Sequence, residues 1–413
     1  MSIPQSILDE ASCPESWQRF YEHKFQNRHL NAAEDKALRD FMDRKAYLPL
    51  CALWEQGCFP STLPQKRTVN KEGTRKKRIV YSFEGDEGIF LKYIAWQLSR
   101  FDDWFCRNCY SFRRSRGAKD AISLIRRNPH IDGQYCLKVD ISNYFNSIDV
   151  EKLLTKLSFV KERDITLYEL FARILREDRV LENGHIIRER HGAMAGTPIS
   201  PFFANVYLRD TDCYFSENNV TYFRYSDDIL LFADSQEELA EYENTLYSQI
   251  QELSLHLNPD KVHTAAPGEP WEFLGFCYRK GEIDLSDNTL RKTKAKIKRK
   301  AEALRRWQRK KGLAPEKAAI GLIHAMNRKF YGHSGADDDF TWNRWFFPCL
   351  TVDTGLKELD AYFLQYIRYT VTGRHYKGNF RIRYQAVKDW GYQSLVHAYY
   401  ESRQTAHFST FDS

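Results

Sequence analysis

No stretch of the 413 residues is apolar over the roughly 20 consecutive positions that a membrane span requires, and no leader-like segment opens the chain. A soluble chain without a membrane partner is expected. An internal repeat is also missing, and the one low-complexity tract is basic. Nine cysteines, at positions 13, 51, 58, 106, 109, 136, 213, 277 and 349, form an odd set with no regular spacing. That excludes a small disulfide scaffold and predicts reduced thiols in a cytoplasmic compartment. One C-x-x-C pair occurs, Cys106 and Cys109, with no second pair or His pair at zinc spacing, so no zinc site is expected.

Hydrophobic residues make up 42% and aromatics 15%, which excludes a disordered chain, and the length suits two or three domains or lobes. The formal net charge of +7 is concentrated in one segment. Between Arg291 and Lys311, "RKTKAKIKRKAEALRRWQRKK" holds twelve Lys or Arg and one Glu, so the rest of the chain is slightly acidic.

Spaced apolar residues over 14–56, including Trp17, Phe20, Phe25, Leu38 and Phe41, predict helices. "KEGTRKKRIVYSF" (71–83) reads as a turn and a basic strand, and "SFRRSRGAKDAI" (111–122) as a basic loop entering a helix. "YCLKVDISNYFNSID" (135–149) is a buried-strand pattern ending at Asp140 and passing into a helix. "AMAGTPISPFFANVYL" (193–208) is a turn opening an apolar helix, with proline tolerated in the first turn. A hairpin around "YSDD" (225–228) follows, then a helix at about 236–255, "NPDKVH" (258–263) and a strand-like "WEFLGFCY" (271–278). From Asp287 onward the pattern is helical and basic.

Two adjacent carboxylates at a hairpin tip repel each other, and they call for a cation. Asp140 ends one strand and Asp227 and Asp228 cap the hairpin, so in one mixed sheet the three can cluster. Oxygen ligands of this kind select Mg²⁺ or Mn²⁺, and two such ions about 3.5–4 Å apart stabilise the attacking and leaving oxygens of a phosphoryl displacement. Singly, each aspartate reads first as a turn former or helix cap, and it is the conjunction with the flanking segments that points to a site.

The ordered set "KVDISNYFNSID", "GTPISPFFANVYL", "YSDD", "NPDKVH" and "EFLGF" resembles palm motifs A to E of reverse transcriptases. The segments at 71–83 and 111–122 resemble the fingers motifs of the bacterial branch related to group II intron enzymes. The resemblance implies an α+β right-hand polymerase: a helical N-terminal extension (1–60), fingers and palm of mixed α/β structure (61–286), and a basic helical thumb with a C-terminal region (287–413). It implies Asp140, Asp227 and Asp228 as catalytic ligands of two Mg²⁺ ions. Phe145 would be the aromatic gate that excludes a 2′-hydroxyl, with Phe145 or its neighbour Tyr144 as a core residue the alternative. Gly196, Thr197 and Pro198 match the motif B turn at the nascent pair, where Ala195 replaces the glutamine of many relatives. Lys261 matches the motif D lysine that donates a proton to pyrophosphate, or is a solvated loop lysine. Arg78 and Lys71 match residues holding the triphosphate, with Lys76 and Lys77 competing for the role of Lys71.

Arg113, Arg114 and Arg116 in the fingers loop are candidate phosphate contacts. The 291–311 run places Ile297, Ala301 and Leu304 on one helical stripe and cations over the remaining surface. It resembles a thumb helix tracking a duplex, with Lys292, Lys296, Arg299, Lys300 and Arg306 on phosphates. Segments typical of intron-encoded enzymes do not follow Ser413, a retron Asn-Ala-x-x-His element is missing before motif A, and "VTG" at 371–373 falls too late for the retron thumb element. The expected type is therefore a stand-alone "unknown group" enzyme. That implies dNTPs as substrates, an RNA template in the form of a cognate noncoding RNA, an RNA/DNA duplex as bound product and a role in antiphage defence. The alternatives are a template-independent terminal transferase of the same fold and an RNA-binding scaffold without catalysis.

Overall fold

The computed structural model describes residues 6–26, 30–70, 77–332 and 341–409. They fall into two compact units, the first ending at Gly268 and the second beginning at Glu269. The strands are β1 (Gln65–Asn70), β2 (Lys77–Ser82), β3 (Tyr135–Asp140), β4 (Arg179–Glu182), β5 (His185–Arg188), β6 (Thr221–Tyr225), β7 (Asp228–Ala233), β8 (His263–Ala265), β9 (Trp271–Phe273), β10 (Phe276–Arg279) and β11 (Glu282–Leu285).

The first unit opens with helices Ile7–Ala11, Pro14–Gln26, Ala32–Asp43 and Tyr47–Glu55. Helical periodicity puts Trp17, Phe20, Leu38 and Phe41 inward, whereas Phe25 lies on the exposed face. Trp17 stacks on Tyr93 at 4.2 Å and meets Phe90 at 5.6 Å, both carried by helix Gly85–Gln97. Residues 1–60 are thus part of the first unit, sharing its core.

Two sheets build the rest of this unit. One, in the order β2-β1-β4-β5, is the fingers sheet of the expected architecture. The other is antiparallel, in the order β6-β7-β3-β8, and corresponds to the palm. Its central strands β3 and β7 read as near-continuous apolar runs because both faces are covered. Helix Gln236–Glu252, started by the Ser235 cap, packs against both of them.

In the second unit β9, β10 and β11 form a meander. The "WEFLGFCY" segment is a hairpin rather than the single strand its composition predicts. Leu274 and Gly275 both have positive φ (53° and 88°), as a two-residue turn of type I′ requires. A Cβ at Gly275 would lie 2.8 Å from the Thr289 Oγ1. The meander joins the helices that follow it: the Asp284 carboxylate accepts from the Gly355 backbone N–H at 3.0 Å, and the Ile283 carbonyl from Thr351 at 2.9 Å. The unit boundary accordingly falls ahead of β9, not at 286/287.

Helix Asp287–Lys311 buries Leu290, Thr293, Ile297 and Ala301 against helices Pro315–Tyr331 and Thr354–Thr372. Leu304 is half-buried. The helix ends at Gly312 (φ 61°), and "VTG" at 371–373 is the end of helix Thr354–Thr372, capped by Gly373 at φ 78°. No described helix is long and apolar enough to cross a membrane.

Candidate active site

Asp140 is the last residue of β3 and stands in register with Asp228, the first residue of β7. Tyr225 pairs with Asp228 across the β6–β7 hairpin, which leaves Ser226 and Asp227 as a two-residue tip. Ser226 adopts φ 61°, the left-handed conformation that such a turn needs at its first position. The Asp227 carbonyl accepts from the Ile141 N–H at 3.1 Å, and the Asp140 carbonyl from Asn258 at 2.8 Å. Sheet hydrogen bonding therefore brings all three aspartates to one end of the palm.

The electrostatics follow from that crowding. Burial, then the negative charge of Asp140, pushes the Asp227 carboxyl above the usual carboxylate range. Asp228 is pushed up by burial as well, against the opposing charge of Lys138, whose ammonium lies 3.8 Å away. Asp140 is bonded to the Lys261 ammonium. Two lysines thus act as counter-charges to the cluster. Among the described residues, no three His, Cys, Asp or Glu side chains already converge on a metal position. The donor set nevertheless fits a hard divalent cation: three carboxylates with oxygen donors alone, two of them raised by burial, which a bound cation would reverse.

Lys261 ends the short turn Pro259–Lys261, and its contact with Asp140 distinguishes it from a freely solvated loop lysine. Tyr144 and Phe145 separate cleanly. Tyr144 is buried and its hydroxyl donates to the Ala204 carbonyl at 2.5 Å, whereas Phe145 is only half-buried. Tyr144 is the core residue of the pair.

The motif B turn is fixed against β2. The Ala195 carbonyl accepts from the Tyr81 N–H at 2.8 Å, and a Cβ on Gly196 (φ 103°) would lie 3.0 Å from the Tyr81 carbonyl oxygen. Glycine is required here by the neighbouring strand itself. Thr197 is buried, its hydroxyl donating to the Met194 carbonyl at 3.1 Å. Pro198 precedes helix Ser200–Tyr207, and it is Pro201 that occupies the first turn. Asn146, which the sequence pattern did not single out, ties these parts together. Its amide donates to Ile79 on β2 at 3.3 Å, and its oxygen accepts from Ala195 at 2.9 Å.

Arg78 lies exposed on β2 opposite Val69. Lys71, and its competitor Lys76, lie outside the described residues; Lys77 begins β2 and is exposed. The three loop arginines divide. Arg113 is a correction to the expected phosphate contact: its side chain is 5% exposed and is spent on Asp102 and on the Asp102, Cys106 and Cys109 carbonyls. Arg114 is exposed over the Trp96 ring, and Arg116 donates to the Arg107 carbonyl at 3.0 Å. On helix Asp287–Lys311, Lys292, Arg299, Lys300 and Arg306 are exposed and Lys296 is half-buried.

A second buried feature has no signal in the sequence pattern. Arg224 on β6 and Asp212 on helix Arg209–Glu217 are both fully buried and form a two-pronged ion pair, at 2.7 and 2.5 Å. Arg224 also reaches the Cys109 sulfur at 3.1 Å and donates to the Ser226 carbonyl in the hairpin tip at 3.2 Å. Beside this pair Cys106 and Cys213 form a disulfide, where reduced cysteines were expected. They are 107 residues apart, and only the packing of their loop on helix Arg209–Glu217 brings them together.

Among characterised proteins the chain is similar to the retron Ec86 reverse transcriptase of Escherichia coli, at 23% identity over 237 residues, covering 56% of this chain and 68% of that protein. It is 29% identical over 118 residues to the retron Ec83 reverse transcriptase of Escherichia coli, 27% of this chain and 36% of that one. Among solved structures, apo telomerase from Candida tropicalis aligns over 84% of this chain and 73% of that chain, at 11% identity and a TM-score of 0.46. The family model described as reverse transcriptase (RNA-dependent DNA polymerase) matches residues 69–278, which span β2, the palm sheet, both aspartate-bearing strands and the first hairpin of the meander, and the chain belongs to that family.

Proposed function

We propose that this reverse transcriptase copies a dedicated noncoding RNA into cDNA by transferring deoxynucleotides to a primer 3′-hydroxyl, with two Mg²⁺ ions held by Asp140, Asp227 and Asp228. The observation that carries the reading is the register of Asp140 with Asp228 beside the Ser226–Asp227 tip, which gathers three carboxylates at one end of the palm. Bound Mg²⁺ supplies charge stabilisation to the attacking and leaving oxygens.

The chain's own residues do the rest. Arg78 holds triphosphate oxygens, together with Lys71, which lies seven positions earlier in the sequence. Phe145 closes off the sugar's 2′ side, so deoxynucleotides are accepted. Gly196, Thr197 and Pro198 form a turn locked to β2 against which the nascent base pair rests. Lys261, whose ammonium is bonded to Asp140, would be the proton donor to the departing pyrophosphate. Arg114 and Arg116 contact template phosphates. The exposed cations of helix Asp287–Lys311 follow the RNA/DNA duplex.

The noncoding RNA template and the antiphage role rest on the resemblance to stand-alone "unknown group" enzymes. The test is to purify the protein with its copurifying RNA, add the four dNTPs and Mg²⁺, and sequence RNA and product. DNA complementary to one bound RNA, lost in Asp227→Ala/Asp228→Ala, is expected. Homopolymer, or sequence unrelated to any bound RNA, would replace the proposal with a terminal transferase.

A further inference from the structure

Phe112 is a bulky aromatic residue in a left-handed backbone conformation, φ 57°, with 49% of its surface exposed. Each property is unfavourable on its own, since a ring at positive φ is strained and an exposed ring forgoes burial. Together they single out a residue kept for some purpose other than stability.

Its neighbours hold it in place. Cys109 bridges in parallel to Arg224 on β6, and the Tyr110 N–H donates to the Arg224 carbonyl at 2.9 Å, so the loop runs alongside the catalytic hairpin. Ser111 is fully buried, its hydroxyl donating to the Asn205 side chain at 3.1 Å and its carbonyl accepting from it at 2.8 Å. Arg113, on the other side, is locked to Asp102 at 3.0 Å. Anchored on both flanks, Phe112 projects its ring to two others: Phe145 at 6.2 Å, edge-on at 72°, and Tyr225 at 6.3 Å. Tyr225 is the first residue of "YSDD".

We infer that Phe112 is a positioning residue for nucleotide selection: its ring braces Phe145 against the hairpin, so that the gate does not swing aside for a 2′-hydroxyl. The inference rests on the proposed gate role of Phe145. The strain is consistent with it, because a left-handed residue at 112 turns the side chain back toward the palm between two anchored neighbours. An edge-to-face aromatic contact is of a strength that corresponds to about 2- to 12-fold in selectivity.

The test compares kcat/KM for a deoxynucleotide and its ribonucleotide in wild type and in the Phe112→Ala, Phe112→Gly, Phe112→Tyr and Phe145→Ala variants, with melting temperatures measured alongside. Phe112→Ala and Phe112→Gly should lower deoxynucleotide preference by about 3- to 10-fold, mainly through more efficient use of the ribonucleotide, and Phe112→Tyr should restore it. Phe112→Gly, freed of the φ strain, should melt no lower than wild type, which separates selection from folding. If Phe145→Ala admits ribonucleotides while the Phe112 variants keep wild-type preference, the bracing role is wrong and the gate stands. If Phe145→Ala leaves the preference unchanged, the gate reading fails and the bracing role fails with it.

Discussion

Replacing Asp212 by Asn changes almost no volume and removes, among the described residues, the one carboxylate bonded to Arg224, whose guanidinium is fully buried. Burial works against the Arg224 charge and Asp212 outweighs it, holding the arginine well above its ordinary pKa. Without that partner the guanidinium remains inside with Asn205, the Cys109 sulfur and the Ser226 carbonyl as neutral contacts. Breaking a buried ion pair from one side costs about 3–5 kcal/mol, against a total stability of about 5–15 kcal/mol. Asp212→Asn should therefore lose about that much in urea unfolding. The apolar triple variant Asp212→Leu/Tyr222→Phe/Arg224→Met removes the pair together with the Tyr222 hydroxyl that donates to Asp212 at 3.1 Å, and should recover most of the loss. Polymerase activity should fall in the triple variant even so, because Arg224→Met removes the donor to the Ser226 carbonyl in the tip. An Asp212→Asn midpoint equal to wild type would mean that the buried charge needs no carboxylate, and a fully active triple variant would mean that Arg224 does not hold the tip.

The remaining predictions concern charge, metal and cross-linking. Because burial raises Asp227 and Asp228 in the fold, their ionisation destabilises the metal-free protein above the folded pKa, and the penalty vanishes as pH falls below the unfolded value. Asp227→Asn should thus melt higher than wild type near pH 8 without metal, with the gap closing in acid, and should gain less from added Mg²⁺; no such gap would contradict the burial argument. Closing a loop of 107 residues with the Cys106–Cys213 disulfide contributes about 4–5 kcal/mol on chain-entropy grounds. Cys213→Ser, or a reductant, should lower the melting temperature by several degrees, while a mass showing both thiols free in the native protein would rule the bond out. Arg299→Gln/Lys300→Gln/Arg306→Gln alters exposed positions and should leave melting unchanged. The log-log salt dependence of duplex binding should become shallower by about 0.9 for each phosphate that is no longer neutralised, and an unchanged slope would place the duplex elsewhere.

Local pattern accounts for a good deal of this protein. A near-continuous apolar run predicted β3 ending at Asp140, "YSDD" predicted a hairpin, and helical spacing placed Ile297 and Ala301 inside and the cations outside. These readings succeed because strand and helix periodicity, and the turn between two apolar strands, act over a few residues. Composition misled where a pattern had two solutions: "WEFLGFCY" is apolar enough for one strand, yet two left-handed residues fold it into a hairpin. The basic loop misled in the same way, since adjacent arginines look alike in sequence while Arg113 is buried and Arg114 exposed. Packing alone paired Arg224 with Asp212, joined Cys106 to Cys213, set Asn146 between β2 and the Ala195 turn, and brought Phe112 to Phe145. Those partners are distant in the chain, and whether two such groups meet depends on how the sheets and helices close over them, a long-range outcome that no local spacing encodes.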